Sequence, residues 1–398
     1  MKTLIFGEQD SLPLVLRSLL KLRHGQIHFR GEWNGTIGEI SDLDATIHIH
    51  NKALIDLIFK NGVLGAAEGY IRGYWSSEQL VELIQILARN RHALDKITPN
   101  VIPQASQLVL KAWYQTPKHS LSGSRKHIAE HYDLSNDFFK LFLDSSMMYS
   151  SAVYQHKDMT LEQASDYKKE LICQKLQLKP MDHLVEIGSG WGGFAIYAAQ
   201  NYGCKVTTIT ISQAQYDEAT KRIADAGLSH RVNVQLIDYR LLEGKFDKLV
   251  SIEMIEAVGE QYLSTYFNKC RSLLKPNGLG LIQAITIEDA RYKKALNTVD
   301  YIKRYIFPGS FIPCISVLTQ AASEQQLRLK HLEDIGLSYA ETIHQWRERF
   351  LNAKEQILAL GFDENFIRMW DFYLCYCEGG FKEGVIRNVH LLFEASAY

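Results

Sequence analysis

Six cysteines in 398 residues are too few and too scattered for a disulfide framework. Cys173, Cys204, Cys270, Cys314, Cys375 and Cys377 read as buried thiols in a reducing cytosol. The Cys375-x-Cys377 pair has no second pair at zinc-site spacing, so no metal site is expected. Charge of one sign is also missing. Lys and Arg number 44 against 45 Asp and Glu, which leaves no field to recruit a polyanion and makes nucleic acid an unexpected partner. No apolar run approaches bilayer-spanning length, and the opening MKTLIFGEQD turns acidic before a secretory core can form. Any membrane substrate must therefore be reached from the surface. Internal repeats and low-complexity tracts are absent as well.

What is present describes a folded chain, 46% apolar and 22% charged, long enough for two domains. Residues 12–24 (LPLVLRSLLKLRH) space their leucines as a short amphipathic helix, suited to core packing or to a membrane surface. Thr46 to His50 alternates like a strand, Asn51 to Phe59 turns helical, and Ser76 or Ser77 stands in position to cap a helix through Leu87. These elements predict a small α+β domain over residues 1–90. Residues 91–125 read as a connector, and residues 126–398 as the second domain.

From Leu171 the pattern alternates strand and helix. Strands are predicted at 184–187, 205–210, 232–237, 248–252 and 279–286, with helices at 165–176, 194–200, 212–224 and 261–273. Ser212 and Gln215 stand at capping-box spacing. Such alternation means an α/β fold with a mostly parallel sheet covered on both faces.

Glu186-Ile187-Gly188-Ser189-Gly190-Trp191-Gly192-Gly193 lies between the first of these strands and its helix. Glycines there let backbone approach a ligand, and the helix start offers unpaired N–H groups. The next strand ends Thr210-Ile211-Ser212, not in the acid that holds a ribose in dinucleotide folds. That difference, together with a helix preceding the strand, points from a dinucleotide to S-adenosylmethionine. Thr210 and Gln215 are candidates for the missing polar work, or simply end the strand and cap the helix. Asp238, Tyr239 and Arg240 follow a later strand, where an aromatic can stack on adenine and an acid can accept from its amine. Glu253 and Glu256 follow the next strand in apolar surroundings (IEMIEAVG), suited to attracting a sulfonium or receiving a proton.

Taken in order, HYDLSNDFF at 131–139, MYSSA at 148–152, EIGSGWGG, TTITIS with Gln215, DYR, SIEMIEAVG, YIKRYIFPGS and YLCYCEGGFKEG resemble the cyclopropane-fatty-acid and mycolic-acid cyclopropane synthases. The resemblance is strong over roughly residues 126–396, and GAAEGYIRGYWSSEQL near the start is similar to the leader of the bacterial phospholipid-acting branch. It implies a class I S-adenosylmethionine-dependent methyltransferase, a Rossmann-like seven-stranded sheet with its last strand antiparallel, carrying a small N-terminal α+β domain. The implied reaction is cyclopropanation of cis-unsaturated phospholipid acyl chains at the inner face of the membrane. A homodimer and peripheral membrane contact are also implied.

Carried over by motif, cofactor contacts fall on Tyr149, Ser150, Glu186, Gly188, Ser189, Gly190, Gly192, Thr210, Ile211, Ser212, Gln215, Tyr239 and Arg240. Tyr301, Tyr305, Ile306 and Phe307 become candidate walls of an acyl tunnel. The resemblance also implies bicarbonate as the base, held by polar groups that include Glu256. Departures cluster around it. Ser151 stands where the family commonly has cysteine, Ala257 follows the acid in place of histidine, and Gln283 replaces a histidine. Arg347 replaces a tyrosine and is suited to binding an anion. Cys377 matches the family's C-terminal cysteine. Glu256, Ser151, Gln283, Arg347 and Cys377 are thus the catalytic candidates. Competing readings are a methyltransferase that leaves a methyl or methylene branch, a silent lipid-binding protein, and a small-molecule methyltransferase.

Overall fold

The computed structural model describes residues 22–95 and 134–397. Most of the 12–24 helix, nearly all of the 91–125 connector and His131 lie outside the described residues. The chain divides into two compact units.

Described residues of the first unit are 22–95, 298–306 and 351–385. Its sheet has the order β2-β1-β3-β4, formed by β1 (Gly25–Gly31), β2 (Gly35–Glu39), β3 (Asp44–Ile49) and β4 (Trp75–Ser76). The strand expected at Thr46 is β3, and β1 pairs with it in parallel while β2 closes a hairpin on β1. No serine caps the next helix. Ser76 pairs with His48 in β4, the helix runs Leu80–Arg89 from Gln79, and the Gln79 side chain accepts from Thr46 N at 3.2 Å instead. The long helix Glu364–Lys382 packs on that helix so tightly that a Cβ on Gly379 would stand 2.7 Å from Ile84. Tyr70 donates to Asp371 at 2.7 Å, and Arg89 bridges Asp42 and Glu383 at 2.6 and 2.8 Å.

The second unit is the α/β part: described residues 134–297, 307–350 and 386–397. Seven strands take the order β10-β11-β9-β8-β5-β6-β7. They are β5 (His183–Ile187), β6 (Lys205–Thr210), β7 (Val232–Leu236), β8 (Phe246–Ile252), β9 (Leu274–Ile287), β10 (Leu327–Asp334) and β11 (Ile386–Ala395). All neighbours run parallel except β11, which is antiparallel to both β9 and β10, as expected for the last strand. Apolar cores cover both faces of the sheet. The helix predicted from residue 165 begins earlier, at Leu161, because Thr160 and Gln163 form a capping box. Ser212 does cap the helix Gln213–Asp225, but the capping box expected with Gln215 stays open. The Gln215 side chain accepts from the Thr210 hydroxyl at 2.8 Å rather than turning back to the cap.

Among the described residues no helix is long and apolar enough to cross a membrane, and no group of three or more ligating side chains could hold a metal.

Candidate active site

Strand order sets the location. The chain leaves β5 outward to β6 and β7, then returns to place β8 on the other side of β5. A crevice opens at such a switch point, outside the carboxyl ends of the strands. The segments that follow β5, β6, β7 and β8 carry Gly188–Gly192, Ile211–Gln215, Asp238–Arg240 and Glu253–Glu256 respectively, so these sequence candidates share one sheet edge.

The glycine loop is anchored at both ends. Gly188 N and Ser189 N donate to Ile209 O at 3.1 and 2.8 Å, holding the loop against β6. Gly190 has φ +48°, and a Cβ there would meet nothing within 4 Å. Its side faces open space. Gly193 is the opposite case: a Cβ would lie 2.3 Å from Ser146 O, so the helix Gly193–Tyr202 can start only with bare backbone against that segment. Arg222 joins the two parts by donating to Ser145 O, Ser146 O and Trp191 O at 2.9–3.1 Å. An open glycine, a helix start with unpaired N–H groups and no side chain in the way fit a nucleoside-bearing ligand such as S-adenosylmethionine.

Other cofactor candidates have partners of their own. Ser150 accepts from Lys168 Nζ at 2.7 Å. That lysine is fully buried, and desolvation lowers it to about 8 against the pull of Glu253, Asp144 and Glu186. Glu186 is also buried; it accepts from Thr208 at 2.6 Å, and burial pushes its carboxyl up to about 8. Asp238 has both oxygens engaged by Arg240, through Nε at 2.8 Å and Nη2 at 2.6 Å, and Tyr239 stands edge-on to Tyr266 at 5.6 Å. Tyr149 lies in an aromatic cluster, 5.1 Å from Phe139 and 5.4 Å from Trp346 between ring centroids.

A polar cluster gathers at the carboxyl end of β8. Glu253 Oε1 accepts from Ser151 N (2.9 Å), Gln283 Nε2 (2.8 Å) and Asn388 Nδ2 (2.6 Å), while Oε2 accepts from the Tyr339 hydroxyl (2.6 Å). The ring of Tyr339 stands edge-on to Trp346 at 6.0 Å, which ties this cluster to the aromatic one. Glu256 Oε1 accepts from Ile285 N at 2.6 Å, and its Oε2 is buried without a partner. Burial first, and the charge of Glu253 second, push the Glu256 carboxyl up to about 8. The Ser151 hydroxyl is turned to Ala152 O at 2.8 Å.

Four of the five catalytic candidates, Ser151, Glu256, Gln283 and Arg347, belong to this unit; Arg347 is half-buried on the helix Gly336–Asn352. Cys377 belongs to the first unit, where burial pushes its thiol up, away from a reactive thiolate. Tyr301 and Tyr305 also lie there. Tyr301 is buried against Phe372 and donates to Met369 O at 2.8 Å. Phe307 lies in the second unit, 6.4 Å from Tyr149. Sequence reasoning did not single out Lys168, Tyr339, Asn388 or His390. His390 meets Gln283 Oε1 at 3.1 Å from the adjoining strand. The Ser151 N–H and the Gln283 amide already serve the carboxylate of Glu253, so neither is open to an added anion such as bicarbonate.

Residues 119–391 match the family model for mycolic acid cyclopropane synthetase. The chain is 36% identical over 360 residues to the tuberculostearic acid methyltransferase UfaA1 of Mycobacterium tuberculosis, covering 86% of this chain and 81% of that one. It is 35% identical over 351 residues to the cyclopropane-fatty-acyl-phospholipid synthase of Escherichia coli, covering 88% and 87%. Among solved structures, the cyclopropane synthase MmaA2 from Mycobacterium tuberculosis superposes with a TM-score of 0.64 at 28% identity, over 68% of this chain and 98% of that one. With the switch-point crevice, the open glycine loop and this match over most of its length, the chain belongs to the mycolic acid cyclopropane synthetase family of S-adenosylmethionine-dependent methyltransferases.

Proposed function

We propose that this methyltransferase is a cyclopropane-fatty-acyl-phospholipid synthase, adding a methylene carbon across the cis double bond of an unsaturated phospholipid acyl chain. The observation that carries the reading is Glu253, hydrogen-bonded to Tyr339 of the aromatic cluster that includes Trp346 and Tyr149, with Glu256 near enough to feel its charge. Bound S-adenosylmethionine supplies a methyl carbon made electrophilic by positive sulfur. The chain's own residues must then hold a weakly nucleophilic alkene close, exclude water, and take one proton from the added carbon. Aromatic faces tolerate positive charge developing beside them without quenching it as water would. A carboxylate at the end of β8 is positioned to receive the proton. The cofactor is assigned to Tyr149, Ser150, Glu186, the loop Gly188–Gly192, Thr210–Gln215, Tyr239 and Arg240. Because the donors around Ser151 are already taken, no bicarbonate enters this reading.

The names of the relatives support a fatty-acyl substrate, and a phospholipid substrate implies transient contact with the cytoplasmic face of a membrane. A second reading, a methyl- or methylene-branched product, is favoured by the 36% identity to a tuberculostearic acid methyltransferase. Proton NMR of the lipid separates the two after incubation with S-adenosylmethionine and cis-monounsaturated phospholipid vesicles. Upfield ring protons are expected. Branched methyl or exocyclic methylene signals without them would overturn the named product.

A further inference from the structure

Three N–H donors converge on one oxygen in the second unit, and that oxygen belongs to the chain. Ser151 N, Gln283 Nε2 and Asn388 Nδ2 all point at Glu253 Oε1, within 2.6–2.9 Å, and Tyr339 supplies the fourth hydrogen bond through Oε2. Every partner is a donor, as an acceptor-only carboxylate requires. The donors thus form an oxyanion pocket whose anion is covalently resident. Glu253 reaches it by taking φ +49°, a left-handed conformation that is unfavourable for a residue with a side chain. Local strain of this kind is retained where surrounding structure holds it, commonly at functional sites.

The orientation of Gln283 is set from behind. Lys175 Nζ lies 2.7 Å from His390 Nδ1 and pairs with Glu333. An ammonium can only donate, so His390 presents Nε2–H to Gln283 Oε1 at 3.1 Å. The amide nitrogen of Gln283 is thereby turned to Glu253. Burial and the nearby lysines Lys175 and Lys168 keep His390 neutral, well below its ordinary range.

We infer that Glu253 is the resident proton acceptor of the alkylation, standing where an added carbonate would otherwise be needed. The inference rests on the proposed acyl-chain chemistry. Once the alkene's π pair has bonded the transferred carbon, and the carbon–sulfur pair has gone to sulfur, the neighbouring acyl carbon is an electron pair short. A C–H bond of the added methyl then breaks. Its electron pair closes the third side of the ring, and its proton goes to Glu253 Oε2, the oxygen with one donor instead of three. Solvent takes the proton before the next turnover. A hydrogen beside a carbocation is so acidic that the acceptor needs position more than strength. Glu256 is the poorer acceptor, because its carboxyl, at about 8, is mostly protonated at neutral pH.

Replacing Glu253 by glycine empties the pocket while leaving its donors, and glycine suits the left-handed backbone. Line broadening of sodium [13C]bicarbonate would be measured on the wild type, Glu253→Gly and Glu253→Gln, with calorimetric binding of S-adenosylmethionine as the check on folding. Broadening is expected with Glu253→Gly alone. Turnover in carbonate-depleted buffer, read as S-adenosylhomocysteine release, should be unchanged for the wild type on adding bicarbonate. For Glu253→Gly it should fall at least ~100-fold and recover with bicarbonate or formate. Broadening or bicarbonate-dependent turnover in the wild type overturns the inference. So does a folded Glu253→Gly that binds no bicarbonate, or that turns over fully without it. If Glu253→Gly does not fold, the wild-type arms and Glu253→Gln decide, the latter expected to be inactive and unrescued; activity in Glu253→Gln counts against the inference. Should even the wild type release no S-adenosylhomocysteine with unsaturated phospholipid, the proposed function fails while the binding arm still judges the pocket.

Discussion

Replacing Glu256 by glutamine should make the second unit less sensitive to rising pH. The glutamine keeps an oxygen for Ile285 N and is nearly isosteric with the protonated acid. In the unfolded chain the carboxyl titrates near 4.5; in the folded chain burial and Glu253 move it to about 8. Between those values the folded protein holds a proton that the unfolded chain has released, so stability falls as pH rises, and the fall ends above 8. At about 1.4 kcal/mol for each pH unit, the loss across this window accumulates to roughly 5 kcal/mol if no water enters, and to about 3 kcal/mol with some relaxation. At pH 5 the wild type and Glu256→Gln should therefore agree within about 1–2 kcal/mol. By pH 8 the variant should lead by about 2–3 kcal/mol. Two compact units need not unfold together, so a single denaturation midpoint is the wrong observable. Hydrogen exchange of peptides covering β8 and β9, followed by mass spectrometry over a urea series and corrected for intrinsic rates, reads the opening of this region itself. Parallel pH curves for the two proteins would refute the reasoning: Glu256 would then titrate alike in both states.

Tyr339→Phe removes a 2.6 Å hydrogen bond to a carboxylate and should lower the opening free energy of the same peptides by about 1.5–3 kcal/mol; no change would make the bond incidental. Gly190→Ala and Gly193→Ala should separate ligand binding from folding. The first meets no protein atom within 4 Å, so the opening free energy of the peptides around it should drop only by the roughly 1–2 kcal/mol of left-handed strain, while S-adenosylmethionine binding by calorimetry weakens at least ~10-fold. The second puts a methyl 2.3 Å from Ser146 O and should lower stability more than the first. Unchanged affinity in Gly190→Ala would move the cofactor away from that opening.

The α/β sheet was legible because strands β5 to β9 carry apolar and β-branched residues and alternate with helices or turns, and the glycine loop sits where such sheets bind ligands. The same reading passed over β1 and β2, whose sequences GQIHFRG and GTIGE contain glycines that weaken a strand signal. Site residues divide along a similar line. Glu253 and Glu256 stood out as acids in an apolar stretch, since their anomaly is local. Asn388 and His390 did not, because each is one of several polar residues in a mixed strand, IRNVHLLFEA, and its meaning depends on register. Only when His390 is set opposite Gln283 does it explain which way that amide points. Lys168 was hidden for another reason: in a helix with three lysines, two of them adjacent, nothing in the sequence distinguishes the one that turns inward to Ser150.

The position of β11 has a consequence for synthesis on the ribosome. Its ten residues sit between β9 and β10 but are made after both, and they supply Asn388 and His390 to the cluster around Glu253. Until they emerge, β9 presents an open edge of N–H and C=O groups, a template for pairing with other chains. The nascent protein thus passes through an interval in which the first strands of the sheet can already be folded while the candidate site still lacks one wall. Protection of that edge, by a chaperone or by prompt arrival of β11, becomes a requirement of the topology itself.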